Sequence, residues 1–277
     1  MLFAFVQAKD HLLSRIDHFI RDRITYAGRV IQSHVALKIQ PNSTVLTYAR
    51  SSIVESTLLA LHRAGTFPFS VICIDSGRPL HEGRAMLASL SRAGIPCTFG
   101  PLSALSTLMP RADLVLLGTA SLLANGALYS RAGTSLVAMA AKELGKPVIV
   151  ECETYKFSDR IQLDSFAGNE AGAFNDLLLQ DYFGEEGAED EAGEKGAMAS
   201  SGGALGSASG GNASEEMKGP LTRSEAINLR PHLQAVNLMY DITPPDFITA
   251  VASEVGLSGP ESVGVILRDY KSVLFGV

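Results

Sequence analysis

Leu114-Val115-Leu116-Leu117, running into Gly118-Thr119, decides the fold class. A half-exposed strand alternates apolar and polar residues. This run has no polar member, so it reads as a strand covered on both faces, as in parallel sheets. Val148-Ile149-Val150, opening a strand that runs to Cys152, repeats the pattern. Outward from these two, short apolar runs recur at Thr44 to Tyr48, Ser70 to Asp75 and Pro96 to Phe99. Helical spacing fills the gaps over Ile53 to Ala64, Glu82 to Ala93, Leu102 to Leu108 and roughly Tyr129 to Leu144. Later in the chain a strand is expected at Val236 to Asp241, a helix from about Pro245 to Val255 and a last strand at Val263 to Leu267. Strand and helix in alternation predict an α/β fold, a parallel sheet with helices on both faces. Ligands of such sheets sit beyond the carboxyl ends of the strands. Those ends carry Arg50-Ser51-Ser52, Asp75-Ser76-Gly77-Arg78, Gly118-Thr119-Ala120 and Glu153-Thr154-Tyr155-Lys156.

Between Asp10 and Ile39 apolar residues fall at three-to-four spacing (Leu12, Leu13, Ile16, Phe19, Ile20, Ile24, Ala27, Val30, Ile31, Val35), which predicts an amphipathic helix. Gln40-Pro41-Asn42-Ser43 stops it. Its stripe must lie against something: the following domain, or a helical domain of which this is the last helix and of which Met1 begins a fragment.

Of 277 residues, 46% are apolar and 19% charged, so much of the chain is expected to be buried. The net charge of −6 argues against a general nucleic-acid binder. Gly184 to Gly219 holds ten of the 26 glycines, eight acids and two bases, and so carries the whole net charge. With almost no apolar side chain to bury, it is expected to be a disordered acidic Gly/Ser-rich insertion. Cys73, Cys97 and Cys152 are too scattered for a disulfide framework or a zinc site, which reads as a reduced intracellular chain. No run reaches the ~18 apolar residues of a membrane span, and the N-terminus lacks the charge and length of a signal peptide. A cytoplasmic protein is expected.

Neither a G-x-G-x-x-G turn nor a G-x-x-x-x-G-K-[ST] loop occurs, which excludes the usual dinucleotide and triphosphate cradles. H-E-x-x-H and G-x-S-x-G are also missing, and no metal or cofactor is expected. Three polar segments remain. Asp75-Ser76-Gly77-Arg78-Pro79 with Glu82-Gly83-Arg84 offers two guanidiniums that could clamp a phosphate. Ala124-Asn125-Gly126 reads as a turn before a helix, whose free N–H groups favour an anion. Glu151-Cys152-Glu153-Thr154-Tyr155-Lys156 ends a core strand in acids and a base. By spacing alone these groups either pair with one another or hold a ligand.

Ala124-Asn125-Gly126 with Ser130-Arg131-Ala132-Gly133-Thr134 resembles the A-N-G-x-x-x-x-x-x-G-T signature of a family. It contains the alpha, beta and delta subunits of translation initiation factor 2B and the methylthioribose-1-phosphate isomerases. The segment from Asp75 to Arg84 looks like the family's S-R-P-x-x-E-G-R, with Gly77 inserted. Cys152-Glu153-Thr154-Tyr155-Lys156-Phe157 and Asn237-Leu238-Met239-Tyr240-Asp241-Ile242-Thr243-Pro244-Pro245 look most like the delta branch. The resemblance runs from about residue 10 to 270, outside the insertion.

What the resemblance implies is a Rossmann-like domain at 41–277, preceded at 1–40 by the end of an α-helical N-terminal domain. The isomerases carry a cysteine in T-H-C-N-A-G after the first strand and an aspartate directly after A-N-G. The matching positions here are Ala49 and Ala127, which cannot move protons. The resemblance therefore implies a non-catalytic regulatory subunit of the guanine-nucleotide exchange complex for initiation factor 2. Its partners would be the beta, alpha, gamma and epsilon subunits, with initiation factor 2 and its phosphorylated alpha subunit. Arg78, Arg84, Asn125, Gly126 and Lys156 are the candidate phosphate crevice; Tyr240, Asp241, Thr243, Pro244 and Pro245 are interface candidates. The alternatives are an isomerase with its chemistry moved to Cys152 and Glu153, or a sugar-phosphate or nucleotide sensor of the same fold.

Overall fold

The apolar runs assemble into one sheet whose middle strand is the first. In chain order, α1 (Leu2–Phe19) passes through a π-helical stretch (Ile20–Tyr26) into α2 (Ala27–Ala36). Then β1 (Thr44–Tyr48), α3 (Ser52–Ala64), β2 (Ser70–Asp75), α4 (Glu82–Arg92), β3 (Cys97–Pro101), α5 (Leu105–Leu108) and β4 (Leu114–Gly118) alternate. A hairpin of β5 (Ser121–Leu123) and β6 (Leu128–Arg131) leads to α6 (Thr134–Glu143) and β7 (Val148–Glu151). The rest comprises β8 (Phe157–Ser158), β9 (Tyr240–Thr243), β10 (Ala250–Ser253), β11 (Gly256–Ser258) and α7 (Val263–Phe275). This computed structural model describes residues 2–76, 82–172 and 236–275; the acidic stretch 184–219 lies outside them. Residues 1–171 and 238–277 form one unit, described here, and 172–237 cluster separately.

The large sheet has the order β11-β10-β7-β4-β1-β2-β3. All its pairs are parallel except β10 with β11. The chain moves from β1 to β2 and β3 on one side, then returns to β4, β7 and β10 on the other. The order reverses between β1 and β4, and that is where open α/β sheets leave a crevice. A second sheet, β8-β5-β6-β9, stands over this end.

Both faces of the large sheet are covered, which explains the unbroken apolar runs. Along β4, Val115 and Leu117 enter one core with Leu46, Ile72, Val150 and the inner faces of α5 and α6. Leu114 and Leu116 enter the other with Val45, Val71, Ile149 and side chains of α2, α3 and α4. Leu46, Leu58, Ile72, Leu116 and Leu117 are among the largest fully buried side chains. Each contributes about 1.5–3 kcal/mol of transfer free energy.

Three expectations are corrected. The helix expected over Tyr129–Leu144 begins only at Thr134, because residues 128–131 form β6. Leu128 and Ser130 are buried while Tyr129 and Arg131 are half-buried, a period of two rather than 3.6. Pro245–Val255 is not a helix: a single tight turn at Pro245–Phe247 leads into β10, which pairs with β7. Val263–Leu267 is not a strand but the start of α7. There Val263, Ile266 and Leu267 repeat at helical spacing against the first core. The expected helix over 10–39 is there and starts earlier, though only its α2 half buries its stripe, through Ala27, Ile31 and Val35. No helix among the described residues is long and apolar enough to cross a membrane.

Candidate functional site

A crevice of about 290 Å³ opens at the β1/β4 switch point, lined by Tyr48–Ser52, Leu117–Ala120, Ser130, Arg131, Thr134, Lys156, Met239 and Tyr240, with Glu82 at its edge. Its floor is the turn after β1. Ala49 takes a left-handed backbone conformation (φ 54°) while its N–H donates to the Ile74 carbonyl at 2.8 Å. The turn delivers Ser51 to the start of α3 in extended conformation, and its side chain makes no capping hydrogen bond. Gly118 permits this, since a Cβ there would run into the Ser51 side chain.

The wall opposite is built by β6 and α6. Tyr48 is buried, and its hydroxyl donates to the Ala132 carbonyl. Burial pushes the Tyr48 phenol above its ordinary range. Gly133 adopts φ 105° directly against that ring. The first turn of α6 is closed by a residue more than a hundred positions away. Asp241 Oδ2 on β9 accepts the Gly133 N–H at 2.7 Å and the Ser135 N–H at 3.0 Å. Burial raises the Asp241 carboxyl to about 6, and these two amides oppose the rise. A carboxylate at a helix N-terminus satisfies free N–H groups and the helix dipole together. Asp241→Ala is expected to lower stability by about 1–2 kcal/mol, measured by urea unfolding.

The cations of the crevice are engaged. Arg50 meets Glu55 at 2.8 Å and Arg131 meets Glu82 at 3.3 Å. Lys156 meets Glu153 at 2.8 Å. Burial pulls the Lys156 ammonium down, but the Glu153 carboxylate outweighs it and holds the group above its ordinary range. One strand away, Glu151 is fully buried and accepts the Thr57 hydroxyl at 2.7 Å, while Oε1 has no hydrogen-bond partner among the described residues. Burial pushes its carboxyl to about 8.

Of the candidate phosphate and interface residues, Lys156 and Tyr240 reach the crevice, as do the strand-end segments Arg50–Ser52 and Gly118–Ala120. Arg84 is exposed on α4, and Arg78 lies outside the described residues. Asn125 and Gly126 form the tip of the β5–β6 hairpin and do not line the crevice. The expected turn before a helix is thus a hairpin turn, with Gly126 at φ 79° packed against the Pro260 carbonyl. Asn-Gly between apolar residues is a hairpin signal, and here Gly126 supplies the left-handed position of a three-residue loop. Among the interface candidates, Thr243 is fully buried and Asp241 serves α6. Ala49 and Ala127 are both buried. Cys152 is fully buried, outside the crevice lining, and burial holds its thiol well above the ordinary range. It is no activated nucleophile. Ser51 and Thr119, placed at strand ends by the sequence, also line the crevice, whereas Arg131 shows as a site residue only once β6 is recognised. Among the described residues no cluster of three His, Cys, Asp or Glu could hold a metal.

A model described as "Initiation factor 2 subunit family" matches residues 4–260. The chain belongs to the initiation factor 2 subunit family. Within it, the chain is 38% identical over 267 residues to translation initiation factor eIF2B subunit delta of Schizosaccharomyces pombe, covering 96% of this chain and 50% of that one. It is 28% identical over 263 residues to ribose 1,5-bisphosphate isomerase of Archaeoglobus fulgidus, covering 95% and 68%. A solved neighbour is the tetrameric eIF2B-beta2-delta2 complex from C. thermophilum. The match there has TM-score 0.64 and 29% identity, covering 90% of this chain and 62% of that one. The chain thus spans about half the length of the curated delta relative. The resemblance to the delta branch seen in the motifs agrees with these likenesses.

Proposed function

We propose that this chain acts as a non-catalytic regulatory subunit, of the delta kind, in the guanine-nucleotide exchange factor complex for translation initiation factor 2. The observation that carries the reading is the likeness, over 96% of this chain and 50% of the relative, to an eIF2B delta subunit. In that role it would help scaffold a cytoplasmic core with beta and alpha subunits, sense phosphorylation of the alpha subunit of initiation factor 2, and leave exchange to gamma and epsilon. Tyr240, which borders the crevice, and Pro244–Pro245 are the interface candidates that remain outside the buried cap.

The chemistry supports the absence of turnover. Ala49 and Ala127, at the positions where the isomerases carry a cysteine and an aspartate, offer only methyl groups. Loss of both proton-moving groups removes a proton-transfer step rather than slowing it. The purified chain is expected to show no isomerisation of methylthioribose 1-phosphate or ribose 1,5-bisphosphate, and to co-elute with a co-expressed beta subunit. A monodisperse chain that ignores the beta subunit overturns the reading. Turnover abolished by Cys152→Ser would instead establish the relocated isomerase.

A second reading, a sensor that binds a phosphate ester without turning it over, draws on the crevice itself. The start of α3 without a side-chain cap faces the same space as Arg131 and Lys156. Calorimetry with sugar phosphates and nucleoside monophosphates tests it, and absence of heat for all of them retires it.

A further inference from the structure

Asn125-Gly126 is the one Asn-Gly step in the chain. Its place is the tip of the β5–β6 hairpin, outside the crevice lining. The step has a chemistry of its own. Asparagine is a thermolabile residue, and a following glycine has no Cβ to hold its nitrogen off the side chain. The glycine nitrogen adds to the asparagine amide carbon. The side-chain nitrogen leaves as ammonia, taking the proton that the backbone nitrogen gives up, and a cyclic imide remains. One water then opens the imide at either carbonyl, giving aspartate or isoaspartate.

In the folded chain the reacting groups are engaged. The Gly126 N–H donates to the Leu123 carbonyl at 2.9 Å. The amide it would attack is tied at both ends: Asn125 Oδ1 accepts the Ala127 N–H at 3.3 Å, and Nδ2 donates to the Gln162 carbonyl at 3.5 Å. Gly126 itself is buried at φ 79°, with the Pro260 carbonyl so near that a Cβ would lie 2.6 Å from it. Pro260 opens the tight turn Pro260–Ser262 that leads into α7, and Val263 at the head of α7 is fully buried in the first core. Gly264 is also close to the hairpin, since a Cβ there would come within 3.2 Å of the Ala124 carbonyl. The tip can rearrange to bring the Gly126 nitrogen onto Asn125 Cγ only by leaving the head of α7.

We propose that Asn125 is a site of spontaneous deamidation, closed while the β5–β6 tip sits on the Pro260 turn and opened when that contact lets go. Local openings of this kind need less free energy than global unfolding. The proposal does not rest on the regulatory reading, because it concerns the chemistry of the chain alone. The products alter the fold beside the crevice. Aspartate replaces the Nδ2 donor with an acceptor facing the Gln162 carbonyl. Isoaspartate adds a backbone atom to the loop that sets Ser121 opposite Tyr129 and Leu122 opposite Leu128. β6 carries that shift towards Ser130 and Arg131, which line the crevice.

Peptide mass spectrometry of the full chain, incubated at physiological temperature and pH either folded or in guanidinium chloride, tests it. Asn125 in the unfolded chain is expected to react at least about tenfold faster than in the folded one. Val263→Ala, which loosens the head of α7, is expected to raise the folded rate about threefold or more. Val54→Ala removes the same atoms from the second core and is expected to leave that rate unchanged. Thermal unfolding reports that both variants are folded. Asn125→Gln is expected to remove the signal. A folded chain that reacts as fast as the unfolded one overturns the proposal, as does an unfolded chain whose Asn125 stays intact. Equal acceleration by Val54→Ala and Val263→Ala also overturns it, and assigns the reaction to global unfolding.

Discussion

Glu151→Gln is expected to be about 4 kcal/mol more stable than the parent chain at pH 8 and within about 1 kcal/mol of it at pH 5, read from urea midpoints at each pH. The carboxyl is fully buried at the end of β7, with Thr57 its one hydrogen-bond donor, and burial raises it to about 8. The folded state therefore holds this proton more tightly than the unfolded chain, whose carboxyl titrates near 4.5. Stability falls as pH rises between those two values and levels off above the upper one. Each pH unit within the window costs about 1.4 kcal/mol. Asp241, raised from 3.8 to about 6, adds a slope of the same sign at lower pH. Between pH 6 and 8 Glu151 is the group that dominates, and Gln keeps the Thr57 bond while removing the charge. A parent chain and variant with parallel stability curves over pH 5–8 would show that Glu151 ionises in the fold without penalty.

Gly133→Ala is expected to destabilise the chain by about 3 kcal/mol or more in the same unfolding assay. Two causes add. The backbone at φ 105° is one that a residue with a Cβ rarely adopts, and the new methyl would strike the Tyr48 hydroxyl. Tyr48 cannot retreat, because it is buried in the first core and tied to the Ala132 carbonyl. Tyr48→Phe removes the clashing oxygen. In a double-mutant cycle the pair is expected to couple by about 1 kcal/mol or more, the double variant being less damaged than the sum. Strict additivity would mean that backbone strain and the ring carbon Cζ, which the methyl would approach to 2.7 Å and which Phe retains, carry the effect without the hydroxyl. The crevice depends on this contact, since Gly133 lets α6 start beside the end of β1.

Much of this was legible in the residues. The strands at 44–48, 70–75 and 114–118 appear where their apolar runs predict them; α3 and α4 differ from expectation by a residue, while the helix expected at Leu102–Leu108 is α-helical only from Leu105. Parallel strands buried on both faces have no polar alternation to confuse their limits. The errors fall where local pattern and tertiary role diverge. Ala250-Val251-Ala252-Ser253 has weak strand propensity and becomes a strand only because an open position waits beside β7. Val263-Gly264-Val265-Ile266-Leu267 is β-branched yet helical, since its apolar residues face the first core at helical spacing. Leu128 to Arg131 carries its own signal, the Asn125-Gly126 turn ahead of it, but a turn of that kind suits the entrance to a helix equally well until β6 pairs.

The site divides in the same way. Its position beyond the strand ends, Ala49 and Lys156 follow from the order of residues. Those are local facts, carried by runs and motifs. That Asp241 closes the first turn of α6, that Gly118 yields space to Ser51, and that Arg131, Lys156 and Arg50 each meet a carboxylate are facts of the folded chain. A sequence records which groups exist and how they are spaced along one dimension. Which charge is neutralised, and which proton is held, depends on distances across the sheet that only packing creates.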